Sequence, residues 1–253
     1  LASERTGVLA PAALIASLIA LWWALVAASA SPIIPTPWQV VAGLAELARE
    51  GVLVQHVGAS LFRVAVGYLL AVAFAVPLGL VMGRFGGVFS AVNPVIQLLR
   101  PISPIAWIPL AILWFGVGNL SPIFLIFLSS FFPMVVYTTA GVHTIDRQYV
   151  RASQNFGVTG FRLLRLVILP GALPQIIVGM RISIGVAWLV VVAAEMIALS
   201  AGLGFLIMDS RNAGNRYDLV VAGMVLIGVI GLVLDSIMRR LERLKTVQWR
   251  YAR

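Results

Sequence analysis

The sequence has no cysteine, two histidines and nine acidic residues among 253, and only 11% of it is charged. Without cysteine there is no disulfide framework, thiolate metal site or cysteine nucleophile. Two isolated histidines, His56 and His143, leave little from which to build a zinc site, and each reads as an ordinary loop or interface residue. The carboxylates are too scattered for a catalytic pair. There is no H-E-x-x-H, and no G-x-x-x-x-G-K-[ST] phosphate loop, so the chain is not expected to hydrolyse ATP itself. Gly86-Gly87 reads as a turn. The net charge of +9 could suggest nucleic acid, but 61% hydrophobic residues and a mean hydropathy of +1.02 argue otherwise. A soluble domain averages about 45–50% apolar and about 25% charged. Basic loops between apolar runs fit a polytopic membrane protein, with the bilayer rather than nucleic acid as partner.

A helix needs about 20 apolar residues to cross the hydrocarbon core. Residues 8–30 and 64–83 carry no charge and read as the first two spans. Between 85 and 145 the single charge is Arg100. Pro101, Pro104, Gly116, Gly118, Asn119 and Pro122 divide that stretch. The reading is a short helix at 87–99, a bent third span ending near Phe115, and a fourth span at 122–142. A fifth follows at 174–199 and a sixth at 218–238. The chain begins at Leu1 rather than Met, so a short upstream stretch is expected to be missing; the first apolar segment is too long for a cleaved signal core. With both termini cytoplasmic, the inner side collects Arg5, Arg84, Arg147, Arg151, Arg162, Arg165, Arg239, Arg240, Arg243, Lys245, Arg250 and Arg253. The outer side holds Arg49, Arg211 and Arg216, while Arg63, Arg100 and Arg181 lie in or near spans. That bias sets the orientation.

Two segments do not span. Thr36-Pro37-Trp38-Gln39 begins an amphipathic helix at 36–50 well, with Thr as N-cap, Pro at the first position and Gln at the third. Val40, Val41, Leu44 and Leu47 form its apolar stripe, on the outer surface or as an extended lip of the second span. Residues 143–169 are the one long polar connection on the inner side. Asp146–Phe156 can form a short helix ended by Gly157, and Ala152, Ser153 and Gly157 leave little bulk on part of its surface. Leu163, Leu164, Val167 and Ile168 lead back to the membrane and Pro170 ends the segment. It reads either as a docking element or as a connector lying on the headgroups.

This same segment carries a family resemblance. Importer permeases that depend on a binding protein share a signature: Glu-Ala-Ala, three residues, Gly, nine residues, then Ile-x-Leu-Pro. Arg151-Ala152-Ser153, Gly157 and Val167-Ile168-Leu169-Pro170 match its spacing, with Arg151 in place of Glu and Ser153 in place of the second Ala. Leu99-Arg100-Pro101-Ile102-Ser103-Pro104-Ile105-Ala106-Trp107-Ile108-Pro109-Leu110, Leu169-Pro170-Gly171-Ala172-Leu173-Pro174, and Ala194-Glu195 followed by Gly202-Leu203-Gly204 resemble the nitrate/sulfonate/taurine/bicarbonate group. The resemblance covers about 60–243. It implies an all-α, type I (MetI-like) ABC importer permease with six spans and both termini cytoplasmic, a single transmembrane domain over 1–253 in a bacterial inner membrane. It implies no catalytic residues, metal or cofactor in this chain. Its partners would be a second copy, two cytosolic ATPases holding ATP and Mg2+, and an external substrate-binding protein. The substrate would be a small anion, sulfonate or taurine ahead of nitrate or bicarbonate. The coupling residues would be Asp146, Arg147, Arg151, Ala152, Ser153, Asn155, Gly157, Leu169 and Pro170.

For the pathway or gate the candidates are Arg100, Pro101, Pro104, Trp107 and Glu195. Glu195, deep in the fifth span, is either a gate or a group paired with Arg100 or Arg63, or protonated; pairing is favoured because a lone carboxylate would repel an anion. Arg100 either lines a cavity opened by the broken helix or snorkels to the inner interface. Trp107 lines that cavity or anchors at the interface, as Trp114 is expected to do. Arg181 is expected to snorkel, Asp235 to pair with Arg239 at i+4, and Gly79-x-x-x-Gly83 to sit at a helix contact. One rival is a gradient-driven transporter, which should show a repeat with paired broken helices, whereas one broken span is visible. The other is an intramembrane enzyme, which would need clustered reactive groups.

Overall fold

Charge-free runs of this length satisfy their backbone in a membrane only as helices or closed barrels, and helices are the only regular elements among the described residues of the computed structural model. It describes residues 2–29, 33–212 and 214–242, with the backbone alone for 2–12 and 198. Of the cations counted above on the inner side, Arg243, Lys245, Arg250 and Arg253 lie outside the described residues, and Arg5 falls where the backbone alone is described.

Helix α1 is Ala2–Ser29, α2 Pro37–Arg49, α3 Val52–Arg84, α4 Gly86–Leu99, α5 Ile108–Phe115 and α6 Leu120–His143. Then come α7 Arg147–Asn155, α8 Gly160–Leu163, α9 Leu169–Ala198, α10 Leu203–Asn212 and α11 Tyr217–Glu242. A 3-10 turn, Pro104–Trp107, precedes α5, and a π-helical turn, Leu164–Ile168, joins α8 to α9. By length and composition, α3, α6, Gly160–Ile197 and α11 can each cross a membrane. Gly86–Leu99 and Pro104–Phe115 make a fifth span if counted as one broken helix. The described apolar part of α1, Ala13–Ser29, is shorter than these spans. It lies at the margin, with Leu14, Leu18, Trp23 and Leu25 exposed.

The core is where α3, α6 and α9 pack together. Between apolar helices in lipid, close approach and interhelical hydrogen bonds replace the hydrophobic effect as the driving force. Glycines supply the approach. A Cβ at Gly79 would stand 2.6 Å from Thr138 Cβ, and one at Gly83 2.5 Å from Val142 Cβ. On the other side of α6, a Cβ at Gly179 would meet Tyr137 Cβ at 2.6 Å. Ala71, Ala75, Ile126, Val135, Ala187 and Val191 are fully enclosed. Hydroxyls tie the helices: Tyr68 donates to the Met180 carbonyl at 2.8 Å and Thr139 to that of Gly79 at 3.2 Å. Trp188 Nε1 fastens α11 through the Ile227 carbonyl at 3.0 Å.

Helix α2 is separate from α3, turned by Glu50 and Gly51 (φ +73°). Its capping box is complete: Thr36 N–H donates to Gln39 Oε1 at 2.7 Å and Gln39 N–H to Thr36 Oγ1 at 3.3 Å. Val40, Gly43 and Leu47 are buried, Gly43 against Leu219 of α11, while Trp38 and Val41 stay exposed. Arg216 ties Glu46 of α2 to Asp218 of α11 at 2.7 and 2.8 Å. The guanidinium hydrogen-bonded to Glu46 holds its carboxyl below the usual glutamate range.

Two outcomes follow. Gly79→Val forces α3 and α6 apart; overpacking of this kind costs about 1–3 kcal/mol, so its melting temperature in detergent should fall while Gly58→Ala, with open space around it, melts like the parent. A carboxyl with a lowered pKa contributes stability above its unfolded value, about 4.3, and loses it as pH falls through the lowered one. Hydrogen-exchange protection of α2 relative to α3 should therefore drop over that acid window, and Arg216→Gln should show the low protection at neutral pH.

Candidate functional site

The connection between α6 and α9 presents α7 as a short helix closed at both ends. Asp146 caps it, accepting from the Gln148 N–H at 2.8 Å. At the other end Gly157 adopts φ +76°, its N–H donates to the Gln154 carbonyl at 2.9 Å, and Val158 N–H donates to that of Ser153 at 3.0 Å. Such a left-handed closure favours glycine because a Cβ is disfavoured there. No α7 residue is fully buried. Val150, Val158 and Leu169, the first residue of α9, pack against the apolar cluster that contains Leu163 and Ile168. Arg147, Arg151, Ala152, Asn155 and Pro170 are exposed, as are Tyr149 and Phe156, while the Ser153 hydroxyl folds back on the Tyr149 carbonyl at 2.8 Å.

The broken helix begins beside the inner end of α6. Phe89 meets the His143 ring at 5.5 Å, and farther along Ile96 and Val135 line a common cavity of about 190 Å³ with Asn93, Gln97 and Thr139. This register carries α4 antiparallel to α6 and places the break near the middle of α6. Arg100 follows α4, exposed and without an ion pair among the described residues. Its place is beside the middle of α6 rather than beside either end of it. Pro101 is exposed, Pro104 and Trp107 are half-buried, and the two helical pieces cross at 85°. The outer piece is fixed by Ser121, which donates to the Ala111 and Gly116 carbonyls at 3.0 and 2.6 Å. Trp114, more than half exposed, packs on Phe115 and Phe124.

Glu195 does not meet Arg100. It stands one turn from the end of α9 rather than deep within it, and it is fully enclosed. Arg63 of α3 donates to it at 2.6 Å, the Ser60 hydroxyl at 2.8 Å and the Gly204 N–H at 3.1 Å. Arg63 is itself completed by the Ala201 carbonyl at 2.7 Å and Asn119 Oδ1 at 2.9 Å. His56 Nδ1 accepts from the Gly202 N–H at 2.9 Å, and Ser60 Oγ from that of Leu203 at 2.9 Å. The loop from α9 to α10 thus lies across the carboxylate. A Cβ on Gly202 would collide with the Glu195 carboxylate and one on Gly204 with the Val192 carbonyl. The reading of Glu195 as a paired group fits this geometry, with Arg63 as the partner. Asn119, Ser60, His56 and Gly204 escaped the sequence reading; the Gly202-Leu203-Gly204 spacing was the signal available.

Near the middle of α9, Arg181 is held by acids of α11. It pairs with Asp235 at 2.8 Å and Glu242 at 3.1 Å. Asp235 also accepts from Arg239 Nε at 2.7 Å, the expected i+4 contact. No cluster of potential metal ligands occurs among the described residues.

A helical bundle with a Pro-broken span and a presented helix between two long spans defines a transport subunit. The chain belongs to the family of inner membrane components of binding-protein-dependent transport systems, which residues 75–247 match. It is 39% identical over 238 residues to the taurine transport system permease protein TauC of Escherichia coli, covering 90% of this chain and 86% of that protein. It is 35% identical to a putative aliphatic sulfonates transport permease protein, SsuC, of Bacillus subtilis (96% and 87% covered). A putative ABC transporter permease of Methanocaldococcus jannaschii is 44% identical over 201 residues (79% and 74%). The fold matches a chain of the inward-facing MetNI methionine ABC transporter with TM-score 0.67 at 17% identity, covering 76% of this chain and 95% of that one. It also matches a chain of a bacterial alginate ABC transporter solved with an alginate-bound periplasmic protein, with TM-score 0.65 at 18% identity (89% and 95%). This is a multi-pass ABC permease subunit of the inner membrane, not an enzyme.

Glu195→Gln leaves the Arg63 guanidinium buried opposite a neutral amide. Removing one partner of a buried pair costs about 3–5 kcal/mol, so this variant should melt well below the parent in detergent. Arg63→Met with Glu195→Leu should recover part of that loss. Parental melting of Glu195→Gln would mean that the pair is not held as ions.

Proposed function

We propose that the whole chain, 1–253, serves as a six-span permease domain. It works as a homodimer through which a small anion enters the cell, most closely taurine or an aliphatic sulfonate, with nitrate and bicarbonate next. On this reading α1 is the first span, both termini and α7 are cytoplasmic, and α2 lies at the outer surface. Two separate cytosolic ATPases bind ATP and Mg2+ and drive the cycle, and an external binding protein delivers the substrate. The names of the relatives support the substrate class.

The observation that carries the reading is the presentation of α7. A helix capped by Asp146, closed by Gly157, following α6 directly and joined to α9 through α8 and the π-helical turn can take a push from a partner without fraying. Arg147, Arg151, Ala152, Ser153 and Asn155 supply its surface, while Leu169 and Pro170 pass the displacement into α9. When the ATPases close on ATP, two such helices draw together and the packed bundles rock, a rigid-body mode of switching. Arg100, Pro101, Pro104 and Trp107 line the pathway at the broken helix, where irregular backbone at membrane depth is tolerated because it borders a cavity. An unpaired guanidinium there favours an anion. Glu195 acts through the outer loop it holds rather than by touching substrate.

The test is reconstitution with the cognate ATPase and binding protein in nanodiscs. Taurine- or sulfonate-loaded binding protein should stimulate ATP hydrolysis, and Gly157→Trp should abolish the stimulation while the subunits stay assembled. Arg100→Gln should lower uptake several-fold with less effect on assembly. Uptake driven by an ion gradient, with no ATPase bound, would replace this reading with the secondary-transporter one.

A further inference from the structure

Between α7 and the ends of α3 and α6 lies a cavity of about 540 Å³. Its rim carries Arg84, Arg147 and Arg151 together with the Gln154 amide, and no carboxylate lines it. Its wall toward the bundle is apolar, made by Gly83, Val142 and Ile168. None of the three arginines forms an ion pair with a described residue. Asp146, the nearest acid in sequence, is turned to the Gln148 N–H.

The two sides of α7 differ. Arg147, Val150, Arg151 and Gln154 recur at helical spacing and form one stripe, and Val150 of that stripe packs toward Leu163 and Ile168. Tyr149, Ala152 and Phe156 form another stripe, exposed to solvent. The cavity therefore uses the face of α7 turned toward the bundle and leaves the outer face to a partner. Arg84 is the last residue of α3 and Val142 is one residue from the end of α6. The basic rim thus stands where two apolar spans leave the hydrocarbon, and the apolar wall continues into it.

Three arginines that line one cavity with no carboxylate among its lining residues repel one another until an anion joins them. A group with several acceptor oxygens suits them best, because each guanidinium offers a fork of donors to it. We propose that this cavity binds a phosphate group, that of an anionic phospholipid whose glycerol and first acyl carbons lie on the Gly83, Val142 and Ile168 wall. Basic pockets between membrane helices hold lipid headgroups by this combination. The inference needs only that α3 and α6 are spans, and it stands apart from the choice of transport substrate.

The experiment uses the full chain in phosphatidylcholine nanodiscs, titrated with short-chain phosphatidylglycerol and separately with inorganic phosphate. Phosphatidylglycerol should raise the melting temperature of the parent saturably, and native mass spectrometry should retain one such lipid per chain. Arg84→Gln/Arg147→Gln/Arg151→Gln should melt like the parent in neutral lipid, which shows that it folds, and should lose both responses. An equal response to inorganic phosphate, with nothing added by phosphatidylglycerol, would overturn the lipid assignment. Unchanged lipid retention in the triple variant would overturn the site, and if ATPase association were lost at the same time the arginines would belong to the protein partner.

Discussion

The end of this permease where α9 meets α10 depends on one buried ion pair. Arg63 and Glu195 come from helices far apart in sequence and meet at 2.6 Å with their side chains almost wholly enclosed. Two charges taken out of water are expensive, and the expense is offset only when the remaining donors and acceptors are also satisfied. Here they are satisfied by the Ser60 hydroxyl, the Gly204 N–H, the Ala201 carbonyl and Asn119. Each of those partners belongs to a different piece of that end: α3, the start of α10, the loop after α9 and the turn before α6. A single pair therefore sets the relative register of four segments; the carboxylate leaves no room for a Cβ at Gly202, and the Val192 carbonyl leaves none at Gly204.

The opposite end of the bundle is organised differently. There the charges are exposed or half-exposed, and the arrangement is held by short connections and by apolar packing of Leu163, Ile168, Ala172 and Ile176. Helix α9 runs between the two ends, about 45 Å at 1.5 Å per residue. It is fastened to α6 and α3 by glycine contacts and hydroxyl bonds along the way. A long helix clamped where it meets α10 and joined through α8 to α7 at its other end is suited to carry displacement. That is why the proposed mechanism assigns the motion to packed helices moving as bodies. The broken helix between α4 and α5 lies beside this helix, fixed at both ends and open at Arg100.

Much of this was legible in the sequence, for physical reasons that can be named. Helix positions followed charge-free runs and Pro or Gly punctuation. Residues 36–50 and 146–157 could be read as short helices because their caps are local, set within four residues. The broken helix was legible because two prolines cannot both sit inside one ladder of hydrogen bonds. What remained hidden depended on contacts between distant segments. Glu195 had two possible arginine partners, and only the packing of α3 on α9 selects Arg63. Arg181 was read only against the headgroups, and its pairing with Asp235 and Glu242 depends on the packing of α11 on α9. Arg84, Arg147 and Arg151 fell in one inner-side charge count, which says nothing of their convergence. The span count shows the same limit: four helices qualify by length, the bent pair makes a fifth, and six is carried by the proposal rather than by helix length.

The central claim is that α7 moves with the ATPase cycle in a pair of these chains. The absence of cysteine makes it directly measurable. A spin label at Ala152→Cys, on the exposed face of α7, reports the separation between two copies in the assembled transporter by pulsed electron resonance. The account predicts one inter-subunit distance that shortens when a non-hydrolysable ATP analogue closes the ATPases. A distance that ignores nucleotide, or no inter-subunit coupling in an assembled and active complex, would contradict it.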